Sequence, residues 1–555
     1  MKIGKYVLLI STLMLGVNGL FAAADEYLDQ VNYKGAFGGS NWAAGWTGLS
    51  TYGYFPLQGA VAQNLVTVTD DDIQAGETVV WTADNTYLLD GRVFVDDGAT
   101  LVIEAGTVIK GKAGQGENAS VLIVAKGGKI FAEGTPCNPI IFTSENDDLS
   151  NPTVPPAYEK GLWGGVIILG DARINTPTGS NNIEGIPTTE PRGIYGGTND
   201  DDCSGVLRYV SIRHAGTEIG EGNEINGLTM GGVGRGTVIS HVEVFANKDD
   251  GFEWFGGAVN CDHLIAAFCG DDAFDIDEGL RNKMQFLFAI ETDSTGDHCA
   301  EHDGAPESSV ATATPDCDVH VYNATYLGGG ASGSNGDQLM RLREKWGGMY
   351  KNSIFGDYNG IALRVDDDQS PHDASDRMAA GELTVGNNIF FGFTAGDTWD
   401  ALGNSKAHVV DHLSANNNAL ADPVLNGISR AQDNGLDPRP AVTGPAYQNL
   451  AGIETGVSEA FTATRTIPSR LNLSQNYPNP FNPTTHIDYT LPHAAHVTLD
   501  VYNMLGQKVV GLANGRREAG LHSVTWDASG MVSGMYIYQL KAGNIVITNK
   551  MLLMK

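Results

Sequence analysis

DDGFEWFGG occupies residues 249–257, and DDAFDIDEG follows it 22 residues later at 271–279. The strands around the two phrases repeat at the same step. Val242 aligns with Leu264 and Phe286, Val244 with Ala266 and Phe288, and Ala246 with Phe268 and Ile290. All nine are apolar and alternate with other residues, as inward positions of a strand do. A period of this length marks a solenoid, and short β-runs between Gly-rich turns mark a parallel β-helix rather than helical repeats. The same grammar recurs more loosely elsewhere: Gly98/Gly127, Leu101/Ile130 and Glu104/Glu133 each lie 29 residues apart. LWGGVIIL, LRYVSIRHAG, VHVYNATYLGG, YKNSIFGDYNG and VGNNIFFGF read as further rungs. The expected fold is all-β, a right-handed parallel β-helix over 91–447 behind an N-terminal cap region at 25–90.

A coil of this kind accommodates 555 residues because its core grows along an axis. Gly numbers 71, near twice the usual share, which suits a turn-rich chain. The net charge of −32 argues against nucleic acid and anionic membranes as partners. Residues 1–24 read as a signal peptide: lysines at Lys2 and Lys5, an apolar run through Phe21, and small residues at Ala22–Ala24. No later segment is apolar enough to span a membrane as a helix. For an exported chain the six cysteines permit up to three disulfides, and Cys299–Cys317, flanking a Pro/Ser/Thr-rich stretch, is the expected pair.

The composition changes near residue 448. Residues 448–470 read as a Thr/Ser-rich linker, and the charge then reverses: 471–555 carry 6 basic and 4 acidic residues, against 28 and 62 before them. Alternating strands separated by turn signals predict a C-terminal antiparallel, immunoglobulin-like β-sandwich of about seven strands. Its motifs NYPNPFNPTT (476–485), VYNMLGQKV (501–509), GLHSVTWDASG (520–530), GMYIYQL (534–540) and the terminal KMLLMK resemble the type A C-terminal sorting domain of type IX secretion cargo. The resemblance implies that Asn476, Pro478, Pro480, Phe481, Pro483, Gly506, Trp526, Gly534, Lys550 and Lys555 belong to the sorting signal. It also implies export past the outer membrane, with the type IX machinery as partner and the cell surface or the medium as destination.

The body resembles secreted bacterial β-helix proteins of pectin-lyase-like architecture, through YKGAFGGSNWAAGWTGL, LVIEAGTVIKG, GLWGGVIILG, NEINGLTMGGVG and EVFANKDDGFEWFGG. That family implies the fold and leaves the activity open.

The 22-residue step also aligns acids, Asp249 with Asp271 and Asp293, and Glu253 with Asp275 and Asp297. On neighbouring rungs about 4.8 Å apart, each adjacent pair repels by roughly 3–4 kcal/mol at an effective dielectric near 20, and by about 1 kcal/mol when hydrated. An enclosed ladder requires a cation or raised pKa values, whereas an exposed one is a hydrated face. Ca2+ suits such a ladder because it takes several oxygens in flexible geometry. No organic cofactor is expected. Catalysis on a β-helix would draw on outward acids and bases, here Arg341, Arg343, Lys345, Arg364 and Asp366. HCAEH at 298–302 matches a zinc-peptidase pattern that works only on a helix, and the Gly, Asp and Pro around it read as a loop. Trp42, Trp46, Tyr52, Tyr54 and Phe55 suit either a cap on the first rung or stacking on sugar rings. The body is read as an adhesin-like or glycan-binding surface module braced by Ca2+. A polysaccharide lyase or glycoside hydrolase and a purely structural surface-layer protein are the alternatives.

Overall fold

Leu101 pairs with Ile130 on the neighbouring parallel strand, as the 29-residue step requires. The computed structural model describes residues 27–29, 31–54, 64–149, 151, 153–220, 223–334, 336–367, 373–448, 472–473, 483–491, 495–503, 507–517, 520–542 and 545–553. Two compact units divide the chain, Met1–Thr455 and Gly456–Lys555.

The first unit is the β-helix. One sheet of 18 strands and one of nine run along it, with neighbouring strands parallel. In order, the nine-stranded sheet comprises Arg92–Val95, Val121–Val124, Gly165–Leu169, Leu228–Gly231, Phe252–Phe255, Phe274–Asp277, Ala300–Asp303, Gln338–Arg343 and Ile361–Val365. Alternate residues of both sheets point inward and form one continuous column, including Leu101, Ile130, Leu207, Val242, Leu264, Met230, Trp254 and Ile276. Leu402, Val409 and Leu413, from helical segments near the C-terminal end of the coil, join the same core.

The 22-residue step holds for one turn and then slips. Val242 pairs with Leu264, but Leu264 pairs with Leu287, one place beyond the expected Phe286. A one-residue slip turns every side chain to the other face of a strand. Leu287 and Ala289 therefore enter the core, whereas Phe288 and Ile290 lie in a second apolar cluster on the outer face.

The N-terminal segment fills that outer face. Trp46, Tyr52 and Tyr54 are buried with Phe245, Phe268 and Phe288. They lie against middle rungs, so they neither cap the first turn nor offer open faces to sugars; Phe55 is outside the described residues. Gly48 lets the backbone approach, since a Cβ there would sit 2.7 Å from the Phe245 ring. The carboxylate of Glu243, fully buried, accepts the Gly48 and Leu49 amides at 2.5 and 3.2 Å and the Ser211 hydroxyl at 2.5 Å.

All six cysteines lie outside any disulfide, which corrects the expected Cys299–Cys317 bridge. Cys299 precedes a strand of the nine-stranded sheet and Cys317 precedes Asp318–Tyr322 of the other sheet. On different faces of the coil, each makes its own contacts. The Cys299 thiol donates to Glu291 Oε1 at 3.2 Å, and the Cys317 carbonyl accepts from Arg377 at 3.1 Å.

The second unit has antiparallel sheets of three and four strands around Ile487, Tyr489, Val497, Leu499, Trp526, Tyr538 and Leu540, a β-sandwich. Among the described residues no helix is long and apolar enough to cross a membrane.

Candidate functional site

The outer face of the nine-stranded sheet changes character along the axis. One outward column reads Phe94, Ile123, Ile167, Thr229, Glu253, Asp275, Glu301, Arg341, Arg364, each in register with the next. Its apolar start is covered by Ile183, Ile186 and Tyr195 from the long excursion between two strands of the sheet. Arg192, over the Phe94 ring at 3.8 Å, adds a cation–π contact. From Thr229 onward the column is polar or charged, and a second outward column runs beside it from Phe255 to Asp277 and from Asp303 to Arg343.

The charged half divides again. Glu301 lies 3.1 Å from Arg341 and 3.3 Å from Arg343, Asp366 lies 3.0 Å from Arg341 and 2.5 Å from Arg364, and Arg343 binds Asp303. Three arginines thus match three carboxylates, and these contacts hold the Arg343 guanidinium more firmly protonated, against its burial. One rung earlier no such matching exists. One oxygen each of Asp250, Glu253 and Asp275 lies within 4.8 Å of the others. Among the described residues no lysine or arginine pairs with these three or with Asp277. Burial first, and the neighbouring carboxylates second, push all four carboxyls well above their ordinary range. Thr229, next to Glu253 in the column and 1% exposed, has a hydroxyl without a hydrogen-bond partner. Asn226 donates to Glu253 and, at 3.0 Å, to Glu184. The cluster supplies carboxylate and hydroxyl oxygens, the donors a hard divalent cation takes.

Beside this cluster the excursion leaves a hollow of about 550 Å³. Tyr195 and Phe255 lie at its floor, and Asn181, Asn182, Thr188 and Glu184 stand among its walls. The Tyr195 hydroxyl donates to Glu278 at 2.8 Å.

The sequence model of the pectate-lyase like beta helix domain matches residues 72–423, well over half of the chain. The chain belongs to that family. A second match, to the secretion system C-terminal sorting domain, covers 475–554 and carries the chain by the type IX route to the cell surface or beyond. No curated protein matches. Among solved structures, full-length tailspike protein 2 of Escherichia coli O157:H7 bacteriophage CAB120 is similar at 10% identity, with a TM-score of 0.20, over 84% of this chain. The chain spans 64% of the length of that tailspike.

Within this family member the expected residues fall as follows. Glu253 and Asp275 are neighbours, but Asp297 does not continue their ladder. Glu301 takes that place, 26 residues after Asp275, because the intervening turn is longer. Asp297 instead donates its amide to the Asp271 carbonyl at 3.2 Å, within a group of Asp271, Asp272 and Asp297. Asp249 groups with Asp250 and Asp271. Asp293 joins none of these groups, and its carbonyl accepts the Ser334 amide at 3.0 Å. Arg341, Arg343, Arg364 and Asp366 converge, whereas Lys345 turns to Asp316 at 2.6 Å.

HCAEH is not a loop, since Ala300–Asp303 is a strand. Strand alternation separates its histidines. His302 is fully buried, 2.6 Å from the Tyr350 hydroxyl, while His298 lies 2.9 Å from Asp272. Burial opposes charge on His298, but the Asp272 and Asp297 carboxylates outweigh it and raise the imidazole to about 9.

In the sorting unit Trp526 is buried with its ring against Tyr536, the Pro483 carbonyl accepts the Ala528 amide at 2.9 Å, Gly534 pairs with Leu553, and Lys550 is exposed. Asn476, Pro478, Pro480, Phe481, Gly506 and Lys555 lie outside the described residues. Thr229, Asp250 and Glu301 escaped the sequence reading. The doublets Asp249–Asp250 and Asp271–Asp272 were the signal for Asp250, since in each pair the second residue turns inward.

Proposed function

We propose that the exported body is a surface or extracellular glycan-binding module, and that Ca2+ serves the Asp250–Glu253–Asp275 cluster with Thr229 as a further oxygen ligand. The observation that carries this reading is the hollow beside the unmatched carboxylates. The exposed side chains Asn181, Asn182 and Thr188 at its rim meet sugar hydroxyls, above a floor closed by the buried Tyr195 and Phe255 rings. A cation between two carboxylate-bearing partners removes the repulsion that a body of this charge would impose on an acidic polysaccharide. The matched arginines support binding over proton transfer, because each is committed to a carboxylate.

The test is retention of the full chain on an immobilised polyuronate and on a neutral glucan, each in millimolar Ca2+ and in EDTA. Retention of intact glycan, weakened by Asn182→Ala with Thr188→Ala, is the expected result. Shortened chains in the eluate would transfer the site to glycan cleavage. The absence of retention in every medium would end the glycan reading.

A further inference from the structure

A seam of left-handed backbone crosses the 18-stranded sheet. Asn323, Asn352, Asn387 and Asn417 occupy it at the breaks beside the later strands, with φ between 55° and 58°. Asn adopts this conformation readily, because its short amide finds local partners. In the four preceding strands the seam holds Tyr209, His241, His263 and Phe286, with φ of 49°, 56°, 54° and 62°. Bulky rings are disfavoured there, and strain of this kind persists where surrounding structure holds it. The rings stack in file. Tyr209 to His241 measures 4.3 Å between centroids, His241 to His263 4.1 Å at an interplanar angle of 10°, and His263 to Phe286 4.6 Å.

The two imidazoles share a carboxylate. His263 Nδ1 lies 2.7 Å and His241 Nδ1 3.9 Å from Asp262 Oδ1. Ser240 donates to Asp262 at 2.6 Å and contacts His241 Nδ1 at 2.9 Å, and the Tyr27 hydroxyl donates to the other Asp262 oxygen at 3.0 Å. Trp42 stands edge-on to both imidazoles, 4.8 Å from His263 and 5.9 Å from His241. The trio remains reachable, with side-chain exposures of 17%, 28% and 18% for His241, Asp262 and His263. One ligand atom from each lies within 4.8 Å of the others.

We propose that His241, Asp262 and His263 form a site for a borderline divalent cation of the zinc type, between the coil and the N-terminal segment. Two imidazole nitrogens and one carboxylate are the donor set of a three-ligand zinc centre with solvent in the fourth position. Bonds of about 2.0–2.1 Å place the ligand atoms roughly 3.0–3.5 Å apart. The 2.7 Å contact therefore opens and the 3.9 Å contact closes, each by less than an ångström, and the two imidazoles, now near-parallel at 10°, tilt so that both in-plane lone pairs face the ion. In a neutral ring the Nδ1 proton moves to Nε2, which has no hydrogen-bond partner among the described residues, whereas a protonated ring releases one proton to solvent when the ion binds. Hydrogen bonds from the Ser240 and Tyr27 hydroxyls orient the carboxylate. This site is independent of the glycan reading and of the Ca2+ cluster.

The seam itself supplies the test variants, because Asn occupies the equivalent place in four later turns of the coil. Zn2+ is titrated into the full chain by equilibrium dialysis, and His241→Asn, His263→Asn and His298→Asn are compared with the parent. The expected result is one zinc per chain, with affinity reduced about tenfold or more by either seam variant and unchanged by His298→Asn. Co2+ gives a check that needs no variant to fold, because cobalt seated here quenches Trp42 fluorescence. Absence of zinc on the parent, zinc that follows His298, or cobalt bound without quenching would each overturn the site.

Discussion

Asp275→Asn removes one carboxylate from the unmatched cluster at nearly constant volume, and its effect on stability should reverse sign with Ca2+. Glu253 and Asp275 are register partners on adjacent strands, hence about 4.8 Å apart. At an effective dielectric near 20 that separation corresponds to roughly 3.5 kcal/mol of repulsion. The next residue along, Glu301, adds to the repulsion on Asp275 although Arg341 and Arg343 offset part of its charge. In EDTA at pH 8 the variant should therefore be more stable than the parent by up to about 3.5 kcal/mol, and by less to the extent that the raised carboxyls remain protonated. With Ca2+ at a hundred times its dissociation constant the parent gains about 2.7 kcal/mol, most of which the variant forgoes. The order of the two proteins should thus converge or invert between the media. Thermal unfolding of the full chain followed by circular dichroism reads this, at no more than about 2–4 °C per kcal/mol for a body of this length. A parent unmoved by Ca2+, or a variant less stable in both media, would refute the reasoning.

Two further outcomes follow from groups away from the cluster. Glu291 is buried, its Oε2 has no partner, and burial raises its carboxyl to about 8. A raised carboxyl contributes stability that is complete below its ordinary pKa and lost as pH rises through 8, so Glu291→Gln should flatten the decline between about pH 5 and 8 by up to ~1.4 kcal/mol per pH unit; parallel stability curves would contradict this. Glu243→Ala should cost about 3–5 kcal/mol and expose residues 31–54 to limited proteolysis, because it strips two amides of their acceptor and leaves the buried Arg213 without its nearby carboxylate; unchanged cleavage would show that Glu243 does not anchor the segment.

Local chemistry made much of the architecture legible. Apolar alternation with Gly turns specified a coil, because those residues can bury one face only by stacking, and Leu101 does lie on Ile130. The charge reversal and ordered motifs after residue 471 likewise marked the sorting domain, whose strands pair antiparallel. The candidate sites depended on register, which the turns control and the repeat does not. One extra residue placed Leu287 instead of Phe286 beside Leu264, and a longer turn placed Glu301 instead of Asp297 beside Asp275. Neither insertion alters the apolar pattern of the strands, so neither is visible until the strands are paired. The imidazole stack lies further still from any linear signal. His241 and His263 are 22 residues apart like many other pairs, and only a left-handed seam crossed by Tyr27 and Trp42 brings their nitrogens to one carboxylate.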